Sequence, residues 1–244
     1  MPRQNGDSRS KNGPLHGINV LDMGTAGVGP FAATLLGYLG ANVVRVEPPF
    51  VDMLYHQQPT QKGVSPAYFY SNLNKRNIIL DLKEPSNWGD FERLIRETDV
   101  VMENQRPGRL ASLGASYDAM RTINPRIVYV QSPGWGPEGP MRDWFCAAGQ
   151  ADAFSGFGSM NGPEGGRPEM MRYPIMDPNA SIYITSSVLL GLYARERTGE
   201  SQLVALSQIA AGMAITINKA GEYFVTGKAP IPLGNASSST APHQ

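Results

Sequence analysis

The chain is poor in the residues that staple, ligate and anchor. It has a single cysteine, Cys146. One thiol excludes an internal disulfide, and no cysteine–histidine spacing suits zinc, so a reducing cytosol is the simplest compartment. The three histidines, His16, His56 and His243, stand far apart in sequence and suggest no metal cluster. Neither sign of charge is in excess: 21 basic residues balance 21 acidic ones, which argues against DNA or another polyanion as partner. A long hydrophobic run is also missing. The most apolar stretch, Ile182–Ala194, is shorter than the ~20 residues that span a bilayer, so no membrane is expected as partner.

What is present suits a sizeable core. Of 244 residues, 41% are hydrophobic. Residues 1–16 are polar and rich in Gly, Ser, Asn and Arg, and read as a disordered leader. Ile18–Met23 is an apolar strand, Gly24–Gly29 a glycine-rich turn, and Pro30 opens a helical pattern through Leu39. Asn42–Glu47 is the next strand, completing a βαβ unit and implying a parallel sheet. Further strands are expected at Asn77–Leu82, Val100–Glu103, Ile127–Gln131 and Gln202–Leu206. Helices are expected at Pro85–Thr98, Ser181–Arg197 and Ile209–Val225. Pro48–Tyr70 reads as a long functional loop, and Gly134–Met171 shows little periodicity. The alternation gives an α/β fold with a Rossmann-like, doubly wound, mainly parallel sheet.

The glycine turn reads Gly24-Thr-Ala-Gly27-Val-Gly29-Pro30, with Glu47 at the end of the following strand. Its position between strand and helix favours a phosphate or nucleotide near the helix N-terminus. The spacing G-x-x-G-x-G is not the dinucleotide fingerprint, so NAD binding is poorly supported, and a plain tight turn explains the glycines as well.

Several blocks together resemble one family. They are GINVLDMGTAGVGPFAATLLGYLGANVVRVEPP (Gly17–Pro49), Asn74-Lys75-Arg76 followed by ILDLK (Ile79–Lys83), and VMENQRPG (Val101–Gly108). Ile123-Asn124-Pro125-Arg126, Gly134-Trp135-Gly136 and ARERTGESQ (Ala194–Gln202) follow in order. The sequence is similar to the class III CoA-transferases, the family of formyl-CoA and carnitine CoA-transferases. The family nucleophile is an aspartate, and YPIMDPNAS (Tyr173–Ser181) places Asp177 on it, at the family's interval from Gly199. Read from the residues alone, Asp177 is a helix N-cap. Such a site would hold it ionised through the helix dipole and unpaired N–H groups.

The resemblance implies coenzyme A as acyl-CoA substrate, a carboxylic acid as second partner and no metal. It implies CoA contacts from the Ala26-Gly27-Val28 loop, from Leu80 beside the adenine, and from Lys83 and Arg106; each of the last two reads equally well as a solvated surface cation. It also implies transfer through aspartyl anhydride and aspartyl-CoA thioester intermediates. Departures accompany it: Pro48 and Ser112 replace basic positions, Phe145 and Ala147 a lysine and a tyrosine, Asp152 a glutamine, and Ser237–Thr240 a glycine-rich lid. They argue against formate and oxalate. With the aromatics Trp135, Phe145 and Tyr173 they point to a larger acid, aromatic or dicarboxylic, such as benzylsuccinate.

Two rivals are kept. One is a non-catalytic, CoA-binding subunit of a heteromeric transferase. The other is an acyl-CoA racemase, which would need a histidine where Ala147 stands. By the resemblance, residues 17–206 form the CoA-binding large domain. Residues 207–244 form a linker helix and the start of a connection to a small domain that is missing. A homodimer of interlocked chains, or a heteromer with a related subunit, is expected.

Overall fold

The computed structural model describes residues 13–50, 52–173 and 175–236. Its centre is a six-stranded sheet in the order β3-β2-β1-β4-β5-β6, with every neighbouring pair parallel. The strands are β1 (Asn19–Asp22), β2 (Asn42–Glu47), β3 (Lys75–Ile79), β4 (Val100–Glu103), β5 (Val128–Gln131) and β6 (Gln202–Ala205). This is the doubly wound order, in which the strand sequence reverses between β1 and β4. Central strands are buried on both faces, which explains why Val-rich runs such as Val100–Glu103 were legible as strands.

Helices cover both faces. They are α1 (Val28–Tyr38), α2 (Pro66–Ser71), α3 (Trp88–Arg96), α4 (Tyr117–Ile123), α5 (Ala148–Phe154), α6 (Met176–Thr198) and α7 (Gln208–Thr226). One core layer joins α1 and α6 to the sheet through Ala32, Ala33, Leu36, Ile184 and Val188. The other sets Phe91 and Ile95 of α3 and Met120 of α4 against Leu21, Val101 and Tyr129. Gly191 brings α6 close to the sheet: a Cβ there would stand 2.7 Å from a methyl of Val128.

Several sequence expectations are corrected. Leu15, assigned to the leader on composition, is 7% exposed and belongs to the core; its amide bonds to the carbonyl of Leu39. Residues 1–12 of that leader lie outside the described residues, as do 237–244 with the lid positions Ser237–Thr240. The stretch expected to be one loop to Tyr70 ends in α2, started by Ser65, whose hydroxyl accepts from the Ala67 amide. Helix α5 lies in the glycine-rich stretch that showed no periodicity. Most consequentially, α6 begins at Met176 rather than Ser181, and its N-cap is Ile175. Asp177 is therefore a first-turn residue and not the cap.

A buried charge network fixes the two ends of the βαβ unit. Lys75 Nζ donates to Asp22 Oδ2 (2.8 Å), to the carbonyls of Pro30 and Ser71, and to Asn72 Oδ1. Arg45 meets Glu47 at 2.7 Å, Asp52 at 2.7 Å and Asp22 at 3.5 Å. Burial opposes ionisation of Asp22, but Lys75 and Arg45 outweigh it and hold its carboxyl below the usual range.

Candidate active site

The carboxyl ends of β1, β4 and β5 open on a cavity of about 460 Å³ at the topological switch point. The glycine turn forms one wall. Asn104, just after β4, clips that turn: its Oδ1 accepts from the Thr25 amide and its Nδ2 donates to the Thr25 carbonyl. Ala26 adopts φ = 57°, a left-handed conformation that costs a non-glycine residue ~1–2 kcal/mol. Its amide donates to Asp52 Oδ2, which Arg45 holds from the other side. The Arg45–Asp52 pair thus carries the shape of the loop from β2.

Asp177 enters from the first turn of α6 and comes against Gly27. A Cβ on Gly27 would stand 2.8 Å from Asp177 Oδ2, so the glycine is required by the carboxylate. The other oxygen, Oδ1, accepts from Gln208 Nε2 at 2.6 Å. Gln208 is 4% exposed and opens α7, whose start is fixed by the Ser207 hydroxyl accepting from Ala210. Asp177 is therefore held by a side chain from the next helix, not by helix-end amides as expected from its cap-like position.

The electrostatics also differ from that expectation. Burial raises the pKa of Asp177; the Gln208 bond lowers it and the nearby Asp152 charge raises it, leaving it above the usual carboxylate value. One outcome follows for Gln208→Ala. The lost donor raises the Asp177 pKa further, so the acid limb of any Asp177-dependent activity moves to higher pH. A pH–rate profile checks this, and an unshifted acid limb would contradict the assigned role of Gln208. Cys146 lies beside this carboxylate; burial, aided by the Asp177 charge, pushes its thiol up to about 11, so it stays neutral and does not compete as a nucleophile.

Five of the residues named from sequence, Ala26, Gly27, Val28, Arg106 and Asp177, line this one cavity. Leu80 and Lys83 do not; they line an adjoining cleft of about 110 Å³. The two spaces share Thr25, Gln105 and Arg109, so a long ligand can run from one to the other. Arg109 and Arg142 add cations where Ser112 brings none. Phe145 lines the main cavity, whereas Trp135 supports it from behind, its indole N–H donating to the Phe145 carbonyl. Ala147 lines it too.

A second cavity, of about 330 Å³, is also lined by Asp177 and Gly27. Phe31 and Tyr70 stack in its wall, with ring centroids 4.3 Å apart. Tyr173 and Arg172 complete the wall, and burial with the neighbouring Tyr173 raises the Tyr70 phenol to about 12. Asp177 is common to both cavities.

Gln208, Asn104 and the Arg45–Asp52 pair were not singled out by sequence. Asn104 sits inside the VMENQRPG block and was within reach. Gln208 is 31 residues from Asp177, and nothing local marks it.

The sequence profile of CoA-transferase family III matches residues 15–244. The chain belongs to that family. Among its family relatives is a succinate–glutarate CoA-transferase of Agrobacterium fabrum, 31% identical over 251 residues, covering 98% of this chain and 62% of the relative. Another is the beta subunit of a succinyl-CoA–L-malate CoA-transferase of Chloroflexus aurantiacus, 36% identical, covering 78% of this chain and 48% of the relative. Among solved structures, a CAIB/BAIF family protein from Brucella suis superposes with TM-score 0.89 at 28% identity, over 96% of this chain and 63% of that one. The family III chain here thus spans less than two-thirds of the length of these relatives. Among the described residues no helix is long and apolar enough to cross a membrane.

Proposed function

We propose that the protein moves CoA between an acyl-CoA and a carboxylic acid, with Asp177 as nucleophile. The observation that carries this reading is that one carboxylate stands where two cavities meet, gripped by Gly27 and Gln208. One cavity is lined by arginines and continues to Leu80 and Lys83, as a CoA arm with phosphates would require. The other is walled by aromatic rings and suits the acid.

In this mechanism the Asp177 carboxylate attacks the thioester carbonyl and expels CoA thiolate, leaving a mixed anhydride. The thiolate attacks the aspartyl carbonyl, which releases the first acid as its carboxylate and leaves an aspartyl-CoA thioester. The second acid attacks that thioester, giving a new anhydride and thiolate. The thiolate then attacks the acyl carbonyl, forming the new acyl-CoA and restoring Asp177. Each step exchanges one anionic leaving group for another and no proton is transferred, which is why one carboxylate suffices. Each step also builds an oxyanion, and the first-turn amides of Val28 and Gly29 in α1 have no intrahelical carbonyl to bond. Ala26, Gly27, Val28 and Arg106 would flank the pantetheine and phosphates, and Leu80 and Lys83 the nucleotide.

The acid is read as aromatic or dicarboxylic, benzylsuccinate being one example. Phe31, Tyr70 and Tyr173 offer ring faces, and Arg172 offers a cation for a second carboxylate. Dicarboxylic acids in the names of the Agrobacterium and Chloroflexus relatives support the dicarboxylic alternative and not the aromatic one. Transfer from succinyl-CoA to a panel of acids, read by mass spectrometry, tests it. Arg172→Ala should raise KM for dicarboxylic acceptors about tenfold or more and leave monocarboxylic ones little changed. Equal effects on both would remove Arg172 from the acid site.

A homodimer or a heteromer with a related subunit is part of the same reading. Apolar side chains stand exposed on α6 and α7: Leu190, Tyr193, Phe224 (83%) and Val225 (87%). The Chloroflexus relative is named as a beta subunit. The reading also assigns residues 17–206 to a CoA-binding domain and 207–244 to a linker leading onward, and places the enzyme in the cytoplasm. A non-catalytic subunit is disfavoured by the grip on Asp177, which a silent carboxylate would not need.

A further inference from the structure

The glutamine-to-aspartate departure at position 152 acquires a meaning from its surroundings. Asp152 lies on α5, which packs on both α6 and α7, the helices that deliver Asp177 and Gln208. It is 1% exposed, and neither carboxyl oxygen has a hydrogen-bond partner among the described residues. A buried carboxylate without donors is costly, and the cheapest remedy is to keep the proton. Its charge adds to burial in raising the pKa of Asp177.

We propose that Asp152 and Asp177 form a coupled carboxyl pair that carries one negative charge in the working enzyme, with Asp152 the proton-holding positioning partner. The asymmetry comes from donors. Asp177 receives the Gln208 amide and so takes the charge; Asp152 receives nothing and takes the proton. Burial alone pushes Asp152 up from the usual carboxylate range, which agrees. Few other charges interfere. Helix α5 has no other ionisable residue, and Lys219 and Glu222 of α7 pair with each other in an exposed position. The remaining charges of α6, Arg195, Glu196 and Arg197, are in its last turns. Cys146 faces Asp177 as a neutral thiol; Arg106, Arg109 and Arg142 line one cavity with Asp177, and Arg172 lines the other with it.

The pair gives the reaction two limits. The first proton lost exposes the nucleophile. The second puts an extra negative charge beside a site that must build an oxyanion, and slows it. A bell-shaped profile results, both limbs belonging to the pair.

This inference rests on Asp177 being the nucleophile, so its test includes a readout independent of turnover. Carboxyl titration by ¹³C NMR of aspartate-labelled protein is compared for the wild type, Asp152→Asn and Asp177→Asn. Removing either carboxyl should move the midpoint of the other to lower pH. In transfer assays Asp152→Asn should move the acid limb to lower pH and abolish the alkaline limb, whereas a merely structural role would lower the whole profile. If Asp152→Asn does not fold, Asp177→Asn alone reads the coupling through Asp152. Mutual midpoint shifts without transferase activity would support the pair and sink the nucleophile; midpoints that ignore each other would overturn the pair.

Discussion

Asp177→Asn is expected to lower CoA transfer by ~10⁴-fold or more while leaving the fold intact. An amide cannot form the anhydride, and the remaining site supplies only binding and oxyanion stabilisation. The fold should survive because, among the described residues, the Asp177 side chain makes a single hydrogen bond, to Gln208. Its burial raises the carboxyl pKa, so the charge is a cost to the folded state near neutral pH rather than a source of stability. The folded protein holds that proton more tightly than the unfolded chain. Stability due to the group is therefore full at acid pH and lost as pH rises through the raised pKa. At neutral pH Asp177→Asn should be neutral or slightly stabilising. Steady-state transfer and thermal unfolding at pH 4 and pH 7 check both halves; unchanged turnover would remove Asp177 from the chemistry.

Gly27→Ala is expected to have the second-largest effect, and by a different route. Gly27 has φ −92° and ψ −49°, right-handed values that alanine adopts freely. The backbone therefore tolerates the change. The new methyl, however, would lie 2.8 Å from Asp177 Oδ2, closer than real Cβ contacts come, and Asp177 must yield. Displacing a nucleophile by even a fraction of an ångström degrades the attack geometry, so kcat/KM should fall ~10²-fold. The unfolding midpoint should move little. A large loss of stability with proportionate activity would show instead that Gly27 serves only the turn.

The two substitutions mark where sequence reading reached and where it stopped. Parallel strands such as Val100–Glu103 are legible because both faces are buried and the run opens with three apolar residues. The start of α6 was missed by one turn and more. Pro178 follows Asp177 and looks like a break, yet proline is accommodated in a first turn, where no intrahelical donor is needed. That misreading made Asp177 a cap, held ionised by amides. Its true partner, Gln208, is brought by the packing of α7 on α6, which no local pattern encodes. The glycine turn stands out in the sequence, and its spacing argues only against dinucleotide binding. The structure gives its glycines other reasons: Gly27 clears Asp177, and Gly29 clears Asn104, whose Oδ1 would lie 2.8 Å from a Cβ. Arg106 and Lys83 could not be assigned to one pocket from sequence because they follow different strands. The switch point between β1 and β4 brings their loops to neighbouring cavities.

The central claim is a covalent bond at Asp177, and trapping tests it most directly. The protein is incubated with succinyl-CoA, quenched with hydroxylamine, digested and read by mass spectrometry. The account predicts an aspartyl hydroxamate at Asp177, formed only when acyl-CoA is present and absent from Asp177→Asn. Continued CoA transfer with no adduct at Asp177, or an adduct on another residue, would contradict it.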